Sequence, residues 1–334
     1  MRITTIWQKL MAGLANKGVQ RRKGLAQESL QIIQTAYLSE RIMHKLIAIT
    51  LRTSSQLGRF VLAFAFAFLC HGLAHASLPQ SSNVPGGVAV IPLGTIAASA
   101  DAPQAWLGDQ PVLVTSDQNK WYAVVGLRLD VMPGSHQLRV KVGDVTKALD
   151  FVVNPKKYPE QHITLEDTGK VQLSPEDQAR AEREIAVIKE LRRHWREEQD
   201  TDLAFILPAE GKLGGRFGLR RFFNGEPRAP HAGLDVAVAR GTPVKASAHG
   251  QVLAVDDYFF NGKTIFVDHG NGLITMYCHL DRIDVKAGET VNKGQRIGLS
   301  GKTGRATGPH LHWSVVLNGV MVDPELFVRV KRRR

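Results

Sequence analysis

The sequence predicts a mainly β protein: a small N-terminal β-sandwich, a linker helix, and a C-terminal antiparallel β-sheet domain. Three observations predict it. Short apolar runs separated by turn residues recur from about 88 to 165 and again from about 203 to 328. Asn-Gly pairs, a strong hairpin cue, stand at 224–225, 261–262, 271–272 and 318–319. Between the two β-rich stretches, residues 174–199 switch to helical spacing.

The chain of 334 residues has room for roughly two domains, and 43% hydrophobic against 22% charged residues argues against broad disorder. A formal net charge of +12 points at first to nucleic acid or an anionic membrane. Residues 1–76 account for much of it, with ten Lys/Arg against two Asp/Glu, which leaves +4 for residues 77–334. The tail Lys331-Arg332-Arg333-Arg334 carries as much as that remainder. No basic stripe interleaved with aromatics appears, so nucleic-acid binding is not expected. The tail, residues 329–334, is either a solvated end or a transient contact with an anionic membrane surface or glycan.

Residues 1–76 read as a leader. The apolar run Phe60 to Leu69 follows Arg52 and Arg59 and precedes Ala74-His75-Ala76, a layout that predicts export with cleavage before Ser77. The run is shorter than the roughly 20 apolar residues of a membrane span, which ranks an uncleaved anchor second. Met43 would give the leader ordinary proportions if it is the true start. Phe68-Leu69 ahead of Cys70 is unlike a lipoprotein site. Cleavage would leave Cys278 as the single cysteine, so no internal disulfide is expected.

Residues 77–170 are assigned to the sandwich. Its strand-like runs include Val88-Ala89-Val90-Ile91, Val112-Leu113-Val114, Tyr122-Ala123-Val124-Val125 and Phe151-Val152-Val153, with Asp117-Gln118-Asn119, Pro133-Gly134 and Asn154-Pro155 as punctuation. It holds no clustered ligand set and reads as a positioning or binding domain. Residues 171–202 form the linker. Ser174 suits an N-cap, Pro175 the first turn, and Glu176 and Asp177 the positive end of the helix. Ile185, Ile188, Leu191 and Trp195 then predict a narrow apolar stripe. Residues 203–328 form the second β domain, which holds all the candidate chemistry.

His310-Leu311-His312 lies in a strand-like run. Residues two apart on a strand share a face, so both imidazoles project together while Leu311 and Trp313 face away. Such a pair suits a metal site, or one ligand beside one catalytic group. Pro230-His231-Ala232-Gly233-Leu234-Asp235 reads as a loop entering a strand, with residue types that zinc accepts. In Met276-Tyr277-Cys278-His279-Leu280, strict alternation places Tyr277 and His279 on one face and Cys278 on the other, which counts against Cys278 as a ligand. His249 and His269 sit at turn-like positions and read as structural.

Taken in order, His231-x-x-x-Asp235, then Tyr277-x-His279-Leu280, then Gly301-Lys302-Thr303-Gly304 through Gly308-Pro309-His310-Leu311-His312 resemble the lysostaphin-type (LytM-like) zinc endopeptidases. Phe217-Gly218-x-Arg220, Gly241-Thr242-Pro243-Val244, Ala248-His249-Gly250-Gln251-Val252 and Val322-Asp323-Pro324 agree with it. The resemblance covers about residues 205–327. The preceding β-rich stretch and helix look like those of secreted members that act as peptidoglycan DD-endopeptidases. The resemblance implies that His231, Asp235 and His312 hold Zn2+, and that His279 and His310 flank the metal as catalytic groups. Three protein donors leave a fourth tetrahedral place for water. His310 is the expected general base and His279 the donor to the tetrahedral intermediate, with the two roles exchangeable. No Tyr stands in Arg220-Arg221-Phe222-Phe223-Asn224-Gly225, where some members carry an extra donor shortly before the first zinc His. Gly304 and Gly308 are expected to shape the loop that presents His310.

The expected function is hydrolysis of peptide crosslinks in bacterial peptidoglycan, in the periplasm or outside the cell. The D-alanyl–diaminopimelate bond is the expected target and a glycine bridge the alternative. A non-catalytic wall-binding scaffold or amidase activator of the same fold is the competing reading, disfavoured by the intact ligand set. Residues 285–298 look like the hammerhead of biotinyl or lipoyl carriers, without a carrier lysine at a hairpin tip.

Overall fold

The structure, a computed structural model, describes residues 78–96, 102–163, 173–223, 225–227 and 229–328. The expected leader, Met43, Cys70 and the basic tail lie outside the described residues.

The first six strands are β1 (Val88–Thr95), β2 (Gln104–Leu107), β3 (Gln110–Asp117), β4 (Lys120–Gly126), β5 (Gly134–Val142) and β6 (Val145–Val153). They form one antiparallel sheet in the order β1-β4-β3-β2-β5-β6. The sandwich layers are the two halves of this single sheet. Strand β3 passes between them, pairing with β2 through Pro111 and Val112 and with β4 from Leu113 onward. Ala89, Ile91, Ala123 and Val125 from one half meet Leu138, Val140, Phe151 and Val153 from the other in a common core. The β3–β4 connection is a two-residue turn with Gln118 and Asn119 both at positive φ, 46° and 62°. Its twist matches that of the flanking strands.

The alternate residues of this sheet explain why Val88-Ala89-Val90-Ile91 is apolar without a break. Val88, Leu113 and Val124 point the other way and join the core of the C-terminal sheet. A buried amide seals the contact: Asn318 Oδ1 accepts from Gly126 N–H at 2.6 Å, and Asn318 Nδ2 donates to the Gly126 carbonyl at 3.1 Å. All the described residues belong to one compact unit.

Beyond β7 (Glu160–Ile163) comes α1 (Pro175–Arg192). Ser174 is its N-cap, the hydroxyl accepting from Asp177 N–H at 3.1 Å. The helix ends at Arg192 rather than near 199, so Trp195 lies past it. Of the expected stripe, Ile188 and Leu191 dock while Ile185 does not. Ala181 is buried, Ile188 and Leu191 pack on the sheet, and Ile185 is 53% exposed. The polar residues Asp177 and Glu184 extend the docked face towards the N-terminus, and an apolar-only template misses them.

The C-terminal sheet comprises β8 (Lys212–Leu213), β11 (Leu234–Ala237), β12 (Pro243–Lys245), β13 (Gly250–Tyr258), β14 (Gly262–Asp268), β15 (Leu273–Ile283), β16 (Thr290–Val291), β17 (Arg296–Ser300), β18 (Leu311–Leu317) and β19 (Val320–Val322). Its main path is β16-β13-β14-β15-β18-β11-β8. A separate small sheet sets β7 parallel to β9 (Arg220–Phe223), which also pairs with β10 (Glu226–Pro227). One face of the large sheet buries Leu234, Tyr277, Leu280, Leu311 and Trp313. On the other, Phe266, Ile274, Met276, Cys278 and Val316 pack beneath Ile188 and Leu191 of α1.

Candidate metal centre

Strand pairing builds the centre. Asp235 on β11 lies directly opposite His312 on β18, and Cys278 on β15 lies opposite His312 from the other side. Leu234, Val236, Leu311 and Trp313 fill the core side, so Asp235 and His312 turn to the face shared with Cys278. His231 precedes β11, its backbone held by bonds from its N–H to the Leu219 carbonyl and from Gly218 N–H to its own carbonyl.

The three side chains converge on one point. His231 Nε2 is 3.0 Å from Asp235 Oδ1 and 3.1 Å from His312 Nδ1, and His312 Nδ1 is 2.9 Å from Asp235 Oδ1. A tetrahedral zinc with bonds of about 2.0–2.1 Å separates its donors by roughly 3.3 Å. The triangle has nearly that size.

The hydrogen bonds behind the rings decide which atoms face the point. His231 donates Nδ1–H to the Arg216 carbonyl at 3.1 Å, which leaves Nε2 with a lone pair. His312 Nε2 lies 3.0 Å from Ser314 Oγ, a partner for its N–H when Nδ1 is a metal donor. His310 donates Nδ1–H to the Gly308 carbonyl at 2.8 Å, and its Nε2 stands 3.8 Å from Asp235 Oδ1. His279 donates Nδ1–H to the Thr303 carbonyl at 2.9 Å. The His279 ring centroid is 4.7 Å from that of His310 and 6.0 Å from that of His312. Ring nitrogens of His231, His312 and His310 thus approach one carboxylate oxygen, with the His279 ring beside them. Side chains brought this close share a proton or a cation, and imidazole with carboxylate is a donor set that zinc takes.

Burial pushes the Asp235 carboxyl upward, but its bonds with His231 and His312 outweigh that and hold it well below the usual carboxylate range. Burial lowers His279 to about 4 and also lowers His312. His279 is therefore a neutral ring near neutrality.

His279 does not share the face of Tyr277 that strict alternation gives it. The β14–β15 pairing runs from Ile265↔Tyr277 to Lys263↔Leu280, so Cys278 and His279 together face only Thr264. This β-bulge breaks the alternation, and His279 takes φ 60°. Tyr277 stays in the core, while His279 turns onto the face shared by Cys278 and His312. Facing is thus no argument against Cys278. Its surroundings are: the residue is 1% exposed, outside the triad of donors, and burial raises its thiol to about 12. The Cys278 peptide is expected to stay unmodified when folded protein is treated with iodoacetamide and to become alkylated on unfolding, as read by mass mapping.

Several residues that shape the centre carried no role in the sequence reading. A Cβ on Gly215 would stand 2.4 Å from Asp235 Oδ2, and one on Gly233 2.7 Å from His312 Cε1 and 2.6 Å from the Trp313 carbonyl. Arg216 serves through its carbonyl. Ser314, two residues beyond His312 on the same strand face, was accessible to the period-2 argument. Gly304 meets the β13–β14 turn: a Cβ there would lie 2.3 Å from Gly262 N, so the glycine lets the Thr303 segment seat against that turn. His269 is remote from the centre. It donates Nδ1–H to the His249 carbonyl at 2.7 Å, and its Nε2 meets Thr275 Oγ1 at 2.8 Å.

Two imidazoles and a carboxylate on a β-sheet face, with two further imidazoles beside them, are the equipment of a metal-dependent hydrolase. The chain belongs to peptidase family M23: residues 229–324 match the model of that family, and residues 81–156 match the family M23 N-terminal domain. A crystal structure from Pseudomonas aeruginosa assigned to peptidase M23 is 41% identical, covers 74% of this chain and 96% of its own, and superposes with a TM-score of 0.62. Peptidoglycan DD-endopeptidase ShyA of Vibrio cholerae is 44% identical over 120 residues, 36% of this chain. DD-carboxypeptidase/endopeptidase Mpg of Neisseria meningitidis is 42% identical over 94 residues, 28% of this chain. The matches span only 28% of ShyA and 22% of Mpg.

Proposed function

We propose that the chain is a zinc-dependent endopeptidase that hydrolyses peptide crosslinks of bacterial peptidoglycan outside the cytoplasm, with the D-alanyl–diaminopimelate bond as its target. One observation carries the reading: His231 Nε2, Asp235 Oδ1 and His312 Nδ1 form a triangle with edges of 2.9–3.1 Å, and His310 and His279 flank it. The named activities of ShyA and Mpg support the choice of substrate.

His231, Asp235 and His312 would hold the ion. Zinc supplies Lewis acidity and lowers the pKa of a water in its fourth position towards about 7. The chain's own residues do the rest. His310 is assigned as general base, because its free Nε2 faces the triad and can take the water's proton. Its Nδ1–H bond to the Gly308 carbonyl fixes the ring and steadies the resulting imidazolium. The same proton then passes to the leaving amine. His279 is assigned to the tetrahedral oxygen, with its ring fixed by Thr303. In the neutral ring Nδ1 holds the proton, so His279 Nε2 would first take the second proton of the attacking water. It would then donate that proton to the tetrahedral oxygen and release it to the departing amine, which leaves as an ammonium beside the carboxylate.

Purified protein is expected to hold about one zinc per chain and to lose hydrolysis of sacculi on chelation, with recovery on zinc addition. Mass analysis of the released muropeptides should show crosslinked dimers converted to monomers with a freed diaminopimelate amine. Undiminished hydrolysis by thoroughly chelated protein would count against the metal mechanism, and cleavage elsewhere in the stem would count against the assigned bond.

A further inference from the structure

We propose that helix α1 is a positioning element for His279, acting through Glu184 and Arg180 on the turn between β13 and β14. The proposal rests on the reading of His279 as a catalytic group.

His279 is gripped from two sides. Its backbone N–H donates to the Asn261 carbonyl at 2.8 Å, and its ring Nδ1–H donates to the Thr303 carbonyl. Both grips belong to one assembly. Lys263 N–H donates to Thr303 Oγ1 at 3.0 Å, and Arg305 N–H donates to the Phe260 carbonyl at 2.9 Å. Gly262 and Gly304 touch so closely that a Cβ on Gly262 would lie 2.4 Å from the Thr303 carbonyl carbon. The turn 257–262 therefore fixes both the backbone and the ring of His279. At φ 60° that residue depends on its surroundings to hold its conformation.

The turn in turn is held by α1. Glu184 Oε2 accepts the Phe259 N–H at 2.6 Å, while its Oε1 accepts from Arg180 Nε at 2.7 Å. Arg180 also donates from Nη2 to the Asp257 carbonyl at 3.0 Å, and its guanidinium stands 5.7 Å from the Phe259 ring centre. Docking of the helix needs none of this, because Ile188 and Leu191 supply the apolar contact. Two charged side chains one helical turn apart satisfy backbone groups of the turn that carries the His279 anchor. The three metal donors come from β11, β18 and the loop before β11, so disturbance of this turn should leave metal binding alone.

The test uses the full chain and a soluble crosslinked muropeptide dimer. Glu184→Ala should lower kcat about tenfold, the scale of one lost buried hydrogen bond, with KM and zinc content unchanged. Glu184→Gln keeps an acceptor for Phe259 N–H and should stay within about threefold of the native kcat. Arg180→Met should lower kcat about threefold by freeing the Asp257 carbonyl. Native kcat in Glu184→Ala, or an equal loss in Glu184→Ala and Glu184→Gln, overturns the proposal. If Glu184→Ala does not fold, Arg180→Met decides, and native kcat there overturns it. His279→Ala separates the two levels: full activity in that variant sinks the reading of His279 and the proposal with it. An inactive His279→Ala beside fully active Glu184 and Arg180 variants sinks the positioning role alone.

Discussion

Replacing His312 with alanine is expected to bring hydrolysis of sacculi down to background and bound zinc from about one per chain to a small fraction, with the fold retained. Losing one of three donors leaves His231 and Asp235, too few for a structured zinc site. The fold should survive because His312 contributes no apolar contact to the core; its neighbours Leu311 and Trp313 do that from the opposite face. Without a metal, His312 Nδ1 bonds the half-buried Asp235 Oδ1 at 2.9 Å, a contact that the alanine removes. Metal-free His312→Ala should therefore melt somewhat below the metal-free native chain, by the loss of about one hydrogen bond to a charged group, while the native chain alone gains stability when zinc is added. Metal analysis, sacculus turbidity and thermal melts with and without zinc together check this. Full hydrolysis by the variant would remove His312 from the metal shell and defeat the proposed mechanism.

The β class was legible because its signals are local. Asn318-Gly319 does close a two-residue hairpin, with φ of 42° and 82°. Ser174 caps α1 as its position before Pro175 suggested. The common face of His310 and His312 follows from the two-residue period of a strand, and Leu311 and Trp313, both fully buried, sit on the other side. Reasoning by period failed where the period itself is interrupted. The bulge at Cys278-His279 leaves no mark in the order of residue types, because it is set by pairing with Lys263 and Ile265 on another strand. Ile185 was misplaced for a related reason: Glu184 is turned inward in its stead by a backbone N–H at Phe259, 75 residues away in sequence. The parts played by Gly215, Arg216 and Thr303 are equally non-local, since each depends on a loop meeting a ring or carboxylate from elsewhere in the chain. The convergence of His231, Asp235 and His312 was implied by motif resemblance, and the register of β11 against β18 is its geometric origin.

Trp313→Ala is expected to destabilise the protein by about 3–5 kcal/mol, a large fraction of the roughly 5–15 kcal/mol that holds a folded domain together. Trp313 is wholly buried at the centre of the large sheet, paired in register with Leu234 on β11 and Tyr277 on β15. The Phe205 ring packs against it with centroids 6.3 Å apart. Leu234, Tyr277 and Phe205 are themselves buried and packed on other neighbours, so the space fills only in part and a cavity term adds to the lost transfer energy. Trp313→Phe keeps most of the volume and should cost about 1–2 kcal/mol, as large-to-smaller aromatic changes leave less void. Chemical denaturation of the zinc-loaded forms reads both values. The consequence for function follows from the neighbours of Trp313. His312 and Ser314 flank it on the strand, and its carbonyl lies where any side chain on Gly233 would collide. A collapsing indole site therefore shifts β18 against β11, the pairing that sets Asp235 opposite His312. Zinc affinity is expected to fall in Trp313→Ala, although no atom of the indole faces the metal point, and to remain near native in Trp313→Phe. Native zinc affinity in a strongly destabilised Trp313→Ala would show that the donor triangle is held by its own hydrogen bonds and not by the core beneath it.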